Sequence, residues 1–209
     1  MRGDFINRLK TALGNTLPGE PAQRKMAPGV TRIFNATESA GEAGVLLLLY
    51  PRKGDLYILL IKRTEYPGPH SGQVSLPGGK KEEADTTQVC TALREASEET
   101  GIEHESVTVL GTLTSLYIPV SNLEVLPVVG YTGKPPDFNP DPKEVEYLIP
   151  VRLKDLVRKA PITRNIIAGP DIIISAPGYG TANEFIWGAT AMILSEFIEI
   201  AVSAGFSLR

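Results

Sequence analysis

The chain has 209 residues, a net charge of −3, 42% hydrophobic and 22% charged residues. These are the proportions of a soluble globular protein long enough to bury a substantial core, and the charge gives no overall pull toward nucleic acid. The single cysteine, Cys90, excludes an internal disulfide and fits a reducing compartment. The longest unbroken apolar run, residues 45–50, is too short to span a bilayer, and the N-terminus lacks the apolar stretch of a signal peptide, so the cytoplasm is the expected location.

Residues 1–33 carry six basic side chains (Arg2, Arg8, Lys10, Arg24, Lys25 and Arg32) against Asp4 and Glu20. Asp4 suits a helix cap, and Phe5, Ile6, Leu9, Ala12 and Leu13 then share one face up to Gly14. So short a helix is expected to dock on the domain or on a partner subunit rather than on a membrane surface. Residues 18–28 read as a linker. The expected organisation is an N-terminal helix and linker over residues 1–39, then one domain over residues 40–209.

Residues 43–50 and 56–62 read as strands joined by a turn at 51–55; the first is almost wholly apolar, which suits burial on both faces. A loop rich in Pro and Gly at 64–72 and a short strand at 73–76 lead to Pro77-Gly78-Gly79. A helix follows, then strands at 107–117 and 123–131 with a turn at Ser121-Asn122. The loop at 132–143 holds five prolines or glycines and reads as a substrate-facing segment. A strand at 145–150, a short helix at 153–159 and a hairpin of 172–176 with 184–187 around Pro177-Gly178-Tyr179-Gly180 come next. An amphipathic helix from Gly188 to about Ala204 closes the chain. This order predicts an α/β fold, an α/β/α sandwich around a mixed β-sheet.

The most informative stretch is residues 78–102. Its glycine turn suits a strained backbone, and its helix ends in Arg94-Glu95-Ala96-Ser97-Glu98-Glu99 with Gly101 as C-cap. At about 100° per residue, Val89, Leu93, Ala96 and Ser97 share an arc expected to face the core. Cys90 borders that arc and reads as a buried thiol. Glu95, Glu98 and Glu99 share the opposite arc. Three carboxylates on one face repel one another, and a hard divalent cation such as Mg²⁺ would compensate them.

The glycine turn, Arg94-Glu95-Ala96, Glu98-Glu99 and Gly101-Ile102 together resemble the Nudix box, in which a Gly and an acidic residue precede Arg-Glu-apolar-x-Glu-Glu-x-Gly-apolar. The second half is complete here. In the first half Asp85 stands for Glu and is followed by eight residues rather than seven, a shift that resembles the coenzyme A pyrophosphatase branch of Nudix hydrolases. The resemblance covers about residues 40–200. It implies the Nudix fold and metal-dependent cleavage of a diphosphate linkage, in coenzyme A or acyl-CoA, to 3′,5′-ADP and (acyl-)4′-phosphopantetheine. It also implies that Glu98 and Glu99 ligate Mg²⁺ or Mn²⁺, that Glu95 ligates the ion or orients the water, and that the Gly79 carbonyl adds a ligand. Arg94 would pair with Asp85, with Glu82 and Glu83 as substitutes, bracing the loop against the helix, and Gly101 would close the box.

Residues 59–63 and 70–79 resemble the same branch's second signature, with Leu76 in place of Phe and Pro67-Gly68 in place of Leu-Arg. The resemblance thereby makes Arg63, His70, Gly78 and Gly79 substrate contacts, with hydrogen bonding inside its loop as the other role for His70. The missing Arg bears directly on coenzyme A as the substrate. Glu144 and Glu146 flank Val145 in a stretch that also resembles the branch; on a strand both would point to one face, as a further site carboxylate or as surface charge. Trp187 reads as core or as a stacking partner for adenine. The expected partner is a small nucleotide diphosphate, with no nucleic acid, no membrane and a possible homodimer. The alternatives are a Nudix enzyme for another substrate (ADP-ribose, a dinucleoside polyphosphate, a nucleoside triphosphate) and a non-catalytic nucleotide sensor.

Overall fold

The computed structural model describes residues 2–29, 39–68, 70–169 and 172–206; Arg32 lies outside them. Two helices, α1 (Arg2–Leu13) and α2 (Glu20–Arg24), precede strands β1 (Gly41–Arg52) and β2 (Asp55–Arg63). There follow β3 (Val74–Ser75), β4 (Gly78–Lys80), α3 (Gln88–Thr100), β5 (Thr108–Thr112), β6 (Leu116–Ile118) and β7 (Leu123–Tyr131). The remainder is β8 (Val145–Arg152), α4 (Leu153–Arg158), β9 (Ile162–Gly169), β10 (Ile172–Gly180), β11 (Phe185–Trp187) and α5 (Gly188–Ser203).

Strands β1 to β8 form one mixed sheet in which β1 runs antiparallel to β2 and β4 and parallel to β7. The leucine run of β1 is explained by this central place, because successive side chains enter opposite cores. Leu47 and Leu49 join Leu56, Ile58 and Leu60 of β2 in one core; Leu46, Leu48 and Tyr50 join Leu59 in the other. The first core is roofed by α1, α4 and α5, the second by α3 through Ala92 and Ala96. Helices on both faces of a mixed sheet make the α/β/α sandwich expected from the element order. Strands β9, β10 and β11 form a separate antiparallel sheet. Among the described residues no helix is long and apolar enough to cross a membrane.

Several local expectations are corrected. Residues 18–28 are not simply a linker: they contain α2, which buries Ala22 and Gln23, and Met26 joins the core beyond it. Helix α1 docks on the domain itself, burying Phe5, Ile6, Leu9 and Leu13 in the α5-side core. The strand expected over 107–117 is two strands, because the fully buried Glu196 of α5 captures Thr114 between them. Its carboxylate accepts from the Thr114 hydroxyl at 2.7 Å and from the backbone N–H at 3.3 Å, taking that donor out of the ladder. Residues 177–180 lie in β10 rather than in a turn; the chain reverses at Thr181–Glu184, where Thr181 N–H donates to the Glu184 carbonyl at 2.8 Å. Strand β9 escaped the sequence pattern because Thr163, Arg164 and Asn165 interrupt its apolar residues. Cys90 is exposed, not buried.

Candidate active site

Helix α3 begins at Thr87, whose side chain accepts the Cys90 N–H, and ends at Gly101 in the left-handed region with φ 73°. Small side chains, Ala92 and Ala96, face β1 and let the helix axis approach the sheet. Ala96 is buried as the helical wheel predicts, but Val89 and Leu93 pack only at the margin, and Glu99 faces inward. The three carboxylates therefore do not share one solvated face. The Glu99 side chain is 1% exposed and that of Glu98 is 60% exposed, with Glu95 between these extremes.

The glycine turn presses against this helix as strand β4, paired with β1 through Val45↔Gly78 and Gly44↔Gly79. Gly78 has φ 150°, and a Cβ there would fall 2.4 Å from the Gly44 carbonyl oxygen, so no side chain is admitted. Its N–H donates to Glu99 Oε2 at 2.8 Å. A Cβ on Gly79 would fall 2.4 Å from Glu95 Oε2, so the bare backbone of Gly79 forms a cradle directly against that carboxylate.

Arg94 and Asp85 meet in a two-pronged pair, Nε to Oδ1 at 3.0 Å and Nη2 to Oδ2 at 2.9 Å. Arg94 also reaches the Lys80 carbonyl at 3.2 Å, Glu95 at 3.0 Å and Glu98 at 2.9 Å, tying β4 to α3. The Arg94 bonds, together with the Glu82 N–H and the Thr91 hydroxyl, hold the Asp85 carboxyl well below the usual carboxylate range. Thr91 is a supporting residue that the sequence reading missed; a hydroxyl six positions after an acid carries no signal of its own.

Arg63, at the end of β2, donates through Nη1 to Glu99 Oε1 at 2.9 Å. Burial raises the Glu99 carboxyl to about 7, with Arg63 and the Gly78 N–H opposing the shift and Glu144 and Glu95 adding to it. Burial likewise raises Glu95, again with a contribution from Glu144. Of the two candidates flanking Val145, Glu144 is the one whose charge adds to the upward shifts of Glu95 and Glu99. The strand is bulged at this point. Lys62 pairs with Tyr147 and Arg63 with Val145, which leaves Glu146 unopposed and breaks the alternation that would have aligned it with Glu144. His70 is held on its own loop, with Nδ1 3.1 Å from Gln73 Oε1. Trp187 is half-buried at the start of α5, and Tyr179 is buried.

A protein-family model, the NUDIX domain, matches residues 42–165. The chain belongs to the Nudix family. It is 38% identical over 161 residues to Nudix hydrolase 15, mitochondrial, of Arabidopsis thaliana, covering 73% of this chain and 55% of that protein. The chain thus spans about half the length of the plant relatives it matches. It is 33% identical over 201 residues to the uncharacterized Nudix hydrolase NudL of Pectobacterium atrosepticum, covering 92% of this chain and 91% of that one. Among solved structures, the Nudix hydrolase RenU of M. smegmatis aligns with a TM-score of 0.53 at 17% identity, over 88% of this chain and 96% of that one, which shows the shared fold.

Nudix hydrolases generally need divalent metal ions. As placed, no three acidic, histidine or cysteine side chains among the described residues converge on one point, because Glu98 is turned to Arg94 and Glu99 to Arg63. The donor set nevertheless fits a hard cation. It is made only of oxygen ligands on one rigid Nudix helix, and the Gly79 cradle leaves backbone open beside Glu95.

Glu99 makes a testable contribution to stability in metal-free protein. Its folded value, about 7, lies above its ordinary 4.5, so the folded state holds the extra proton between these limits. Stability from this group is complete below about 4.5 and is lost as pH rises through about 7, an effect on the order of 3 kcal/mol. In EDTA, Glu99→Gln is expected to melt progressively higher than wild type as pH goes from 5 to 8. Parallel melting curves across that range would refute the assignment.

Proposed function

We propose that this chain is a metal-dependent Nudix pyrophosphohydrolase that cleaves the diphosphate of coenzyme A or acyl-CoA, releasing 3′,5′-ADP and (acyl-)4′-phosphopantetheine. The observation that carries the reading is the meeting of Glu95 and Glu99 with the Gly78-Gly79 strand, beside Arg63 and under the charge of Glu144. It is an excess of buried carboxylate next to backbone stripped of side chains.

When bound, Mg²⁺ or Mn²⁺ supplies charge neutralisation to the phosphoryl oxygens and acidifies the attacking water. Glu98 and Glu99 would hold the ion, with the Gly79 carbonyl as a further ligand. Glu95, desolvated but still in contact with Arg94, orients the water and accepts its proton. Arg94 and Asp85 keep the helix and β4 in register, and Arg63 contacts the substrate phosphate. Coenzyme A follows from residues 59–63 and 70–79 and from the Glu144-Val145 stretch, which resemble that branch.

Pro67-Gly68, standing where the branch has Leu-Arg, favours a second reading, a Nudix enzyme for ADP-ribose, a dinucleoside polyphosphate or a nucleoside triphosphate. The test is a product assay by mass with Mg²⁺ or Mn²⁺. Coenzyme A, acetyl-CoA, ADP-ribose, diadenosine polyphosphates and nucleoside triphosphates are supplied side by side. Preferential release of 3′,5′-ADP from coenzyme A is expected. Preference for another diphosphate discards the substrate, and tight nucleotide binding without any cleavage discards the enzyme in favour of a sensor.

A further inference from the structure

We propose that Arg63 is an internal counter-ion for Glu99 that is exchanged for the divalent ion, so that one guanidinium serves first the empty carboxylate and then the substrate's phosphate. The inference rests on the proposed role of Glu99 as a metal ligand. Both oxygens of Glu99 are occupied: Oε1 by Arg63 Nη1 at 2.9 Å and Oε2 by the Gly78 N–H at 2.8 Å. The two donors differ in freedom. The Gly78 N–H is fixed by the β1–β4 ladder, through Val45↔Gly78. Arg63 sits at the end of β2, beside the bulge at Glu146, with its side chain 22% exposed and several rotatable bonds from its anchored backbone. A dication and a guanidinium at one carboxylate oxygen repel each other, so the movable donor is the one that yields.

Arg94 shows what a fixed arginine looks like in the same site. It is locked by both oxygens of Asp85 and by the Lys80 carbonyl, besides touching Glu95 and Glu98. Arg63 has Glu99 as its carboxylate partner and also bonds the Tyr66 side chain, its Cζ lying 6.0 Å from the centre of that ring. That ring offers a cation–π rest for a guanidinium leaving Glu99. Without a counter-charge, a carboxylate as buried as Glu99 would be costly to keep ionised. Arg63 offsets part of that cost and fixes the orientation of the carboxylate. Once displaced, the planar fork suits two phosphate oxygens better than an ammonium would. Metal and substrate then bind cooperatively through one residue.

The test uses full-length protein and Mn²⁺ alone, with affinity read by electron paramagnetic resonance, and inorganic pyrophosphate as the second probe. Arg63→Met is expected to bind Mn²⁺ about tenfold more tightly than wild type and pyrophosphate, in the presence of Mn²⁺, about tenfold more weakly. Arg63→Lys, which keeps the charge, guards against a folding defect and is expected to retain wild-type Mn²⁺ affinity. Arginine side-chain NMR supplies a direct readout: in wild type the signal absent from Arg63→Met should move on adding Mg²⁺. Unchanged or weaker Mn²⁺ binding by folded Arg63→Met, or an Arg63 signal that stays still while Mg²⁺ binds, overturns the exchange. Glu99→Gln separates the two levels. If it loses Mn²⁺ affinity while Arg63→Met gains none, only the exchange falls; if it keeps wild-type affinity, the metal-ligand reading falls with it.

Discussion

Glu99→Gln and Glu98→Gln are each expected to lower turnover of the preferred diphosphate by about 10²–10³-fold or more, with the fold intact, since each removes a carboxylate proposed to hold the ion that neutralises the reacting phosphate. The two substitutions probe opposite environments, which is what makes the pair informative. Glutamine at 99 preserves volume and an oxygen for the Gly78 N–H, and it removes the carboxylate whose burial is unfavourable. A loss of activity together with unchanged or higher metal-free stability would mark the residue as retained for function at a cost in stability. Glu98 is largely solvent-exposed and its side chain pairs with Arg94, which is also held by both oxygens of Asp85. Surface substitutions of this kind rarely move stability by more than about 0.5 kcal/mol, so a large kinetic effect there cannot come from unfolding. Saturating Mn²⁺, a product assay and circular dichroism on the same samples decide the matter. Near-wild-type turnover in both variants, with unchanged metal affinity, would remove these carboxylates from the site.

The parts of this site that could be read from the sequence are those encoded by residue type at fixed spacing. Gly101 as a C-cap belongs to that class, because a left-handed φ demands particular chemistry, and the meeting of Asp85 with Arg94 is implied by the resemblance to the box. The strand assignment of the leucine run belongs to that class too, since only a doubly buried strand needs apolar side chains on both faces. What escaped depends on how closely elements approach. The helical wheel put Val89, Leu93, Ala96 and Ser97 inward; Ala96 is buried as expected, whereas Val89 and Leu93 lie at the margin, and Ala92 and Glu99 come inside in their place. Likewise the alternation rule aligned Glu144 with Glu146, and a single unopposed residue in β8 undid it. Nothing local to either segment announces such events, because they are set by the partner strand or sheet.

Deleting residues 1–29 is expected to abolish cooperative folding, although α3 lies on the other face of the sheet. Phe5, Ile6, Leu9, Leu13 and Met26 are all buried in the α5-side core. At about 1.5–3 kcal/mol for each buried side chain, their loss comes to roughly 7–15 kcal/mol as an upper bound. A typical domain has about 5–15 kcal/mol in total. Polar losses point the same way. Glu196, fully buried, would lose the Gly19 N–H at 3.1 Å and the Gln23 amide at 2.9 Å, keeping only Thr114. Ser195 would lose the Ala22 carbonyl, and the Ala204 carbonyl would lose Arg8. A buried carboxylate with half its donors gone is worse than none. A truncated protein that melts cooperatively within a few degrees of the full chain would contradict this. Because outright misfolding would say little about catalysis, Leu9→Ala provides the graded version, with an expected cost of about 2–5 kcal/mol. Below its melting transition that variant should keep wild-type kcat, since Leu9 and Glu99 lie on opposite sides of β1. A proportional fall in kcat in the folded variant would instead mean that the N-terminal helix tunes the site across the sheet.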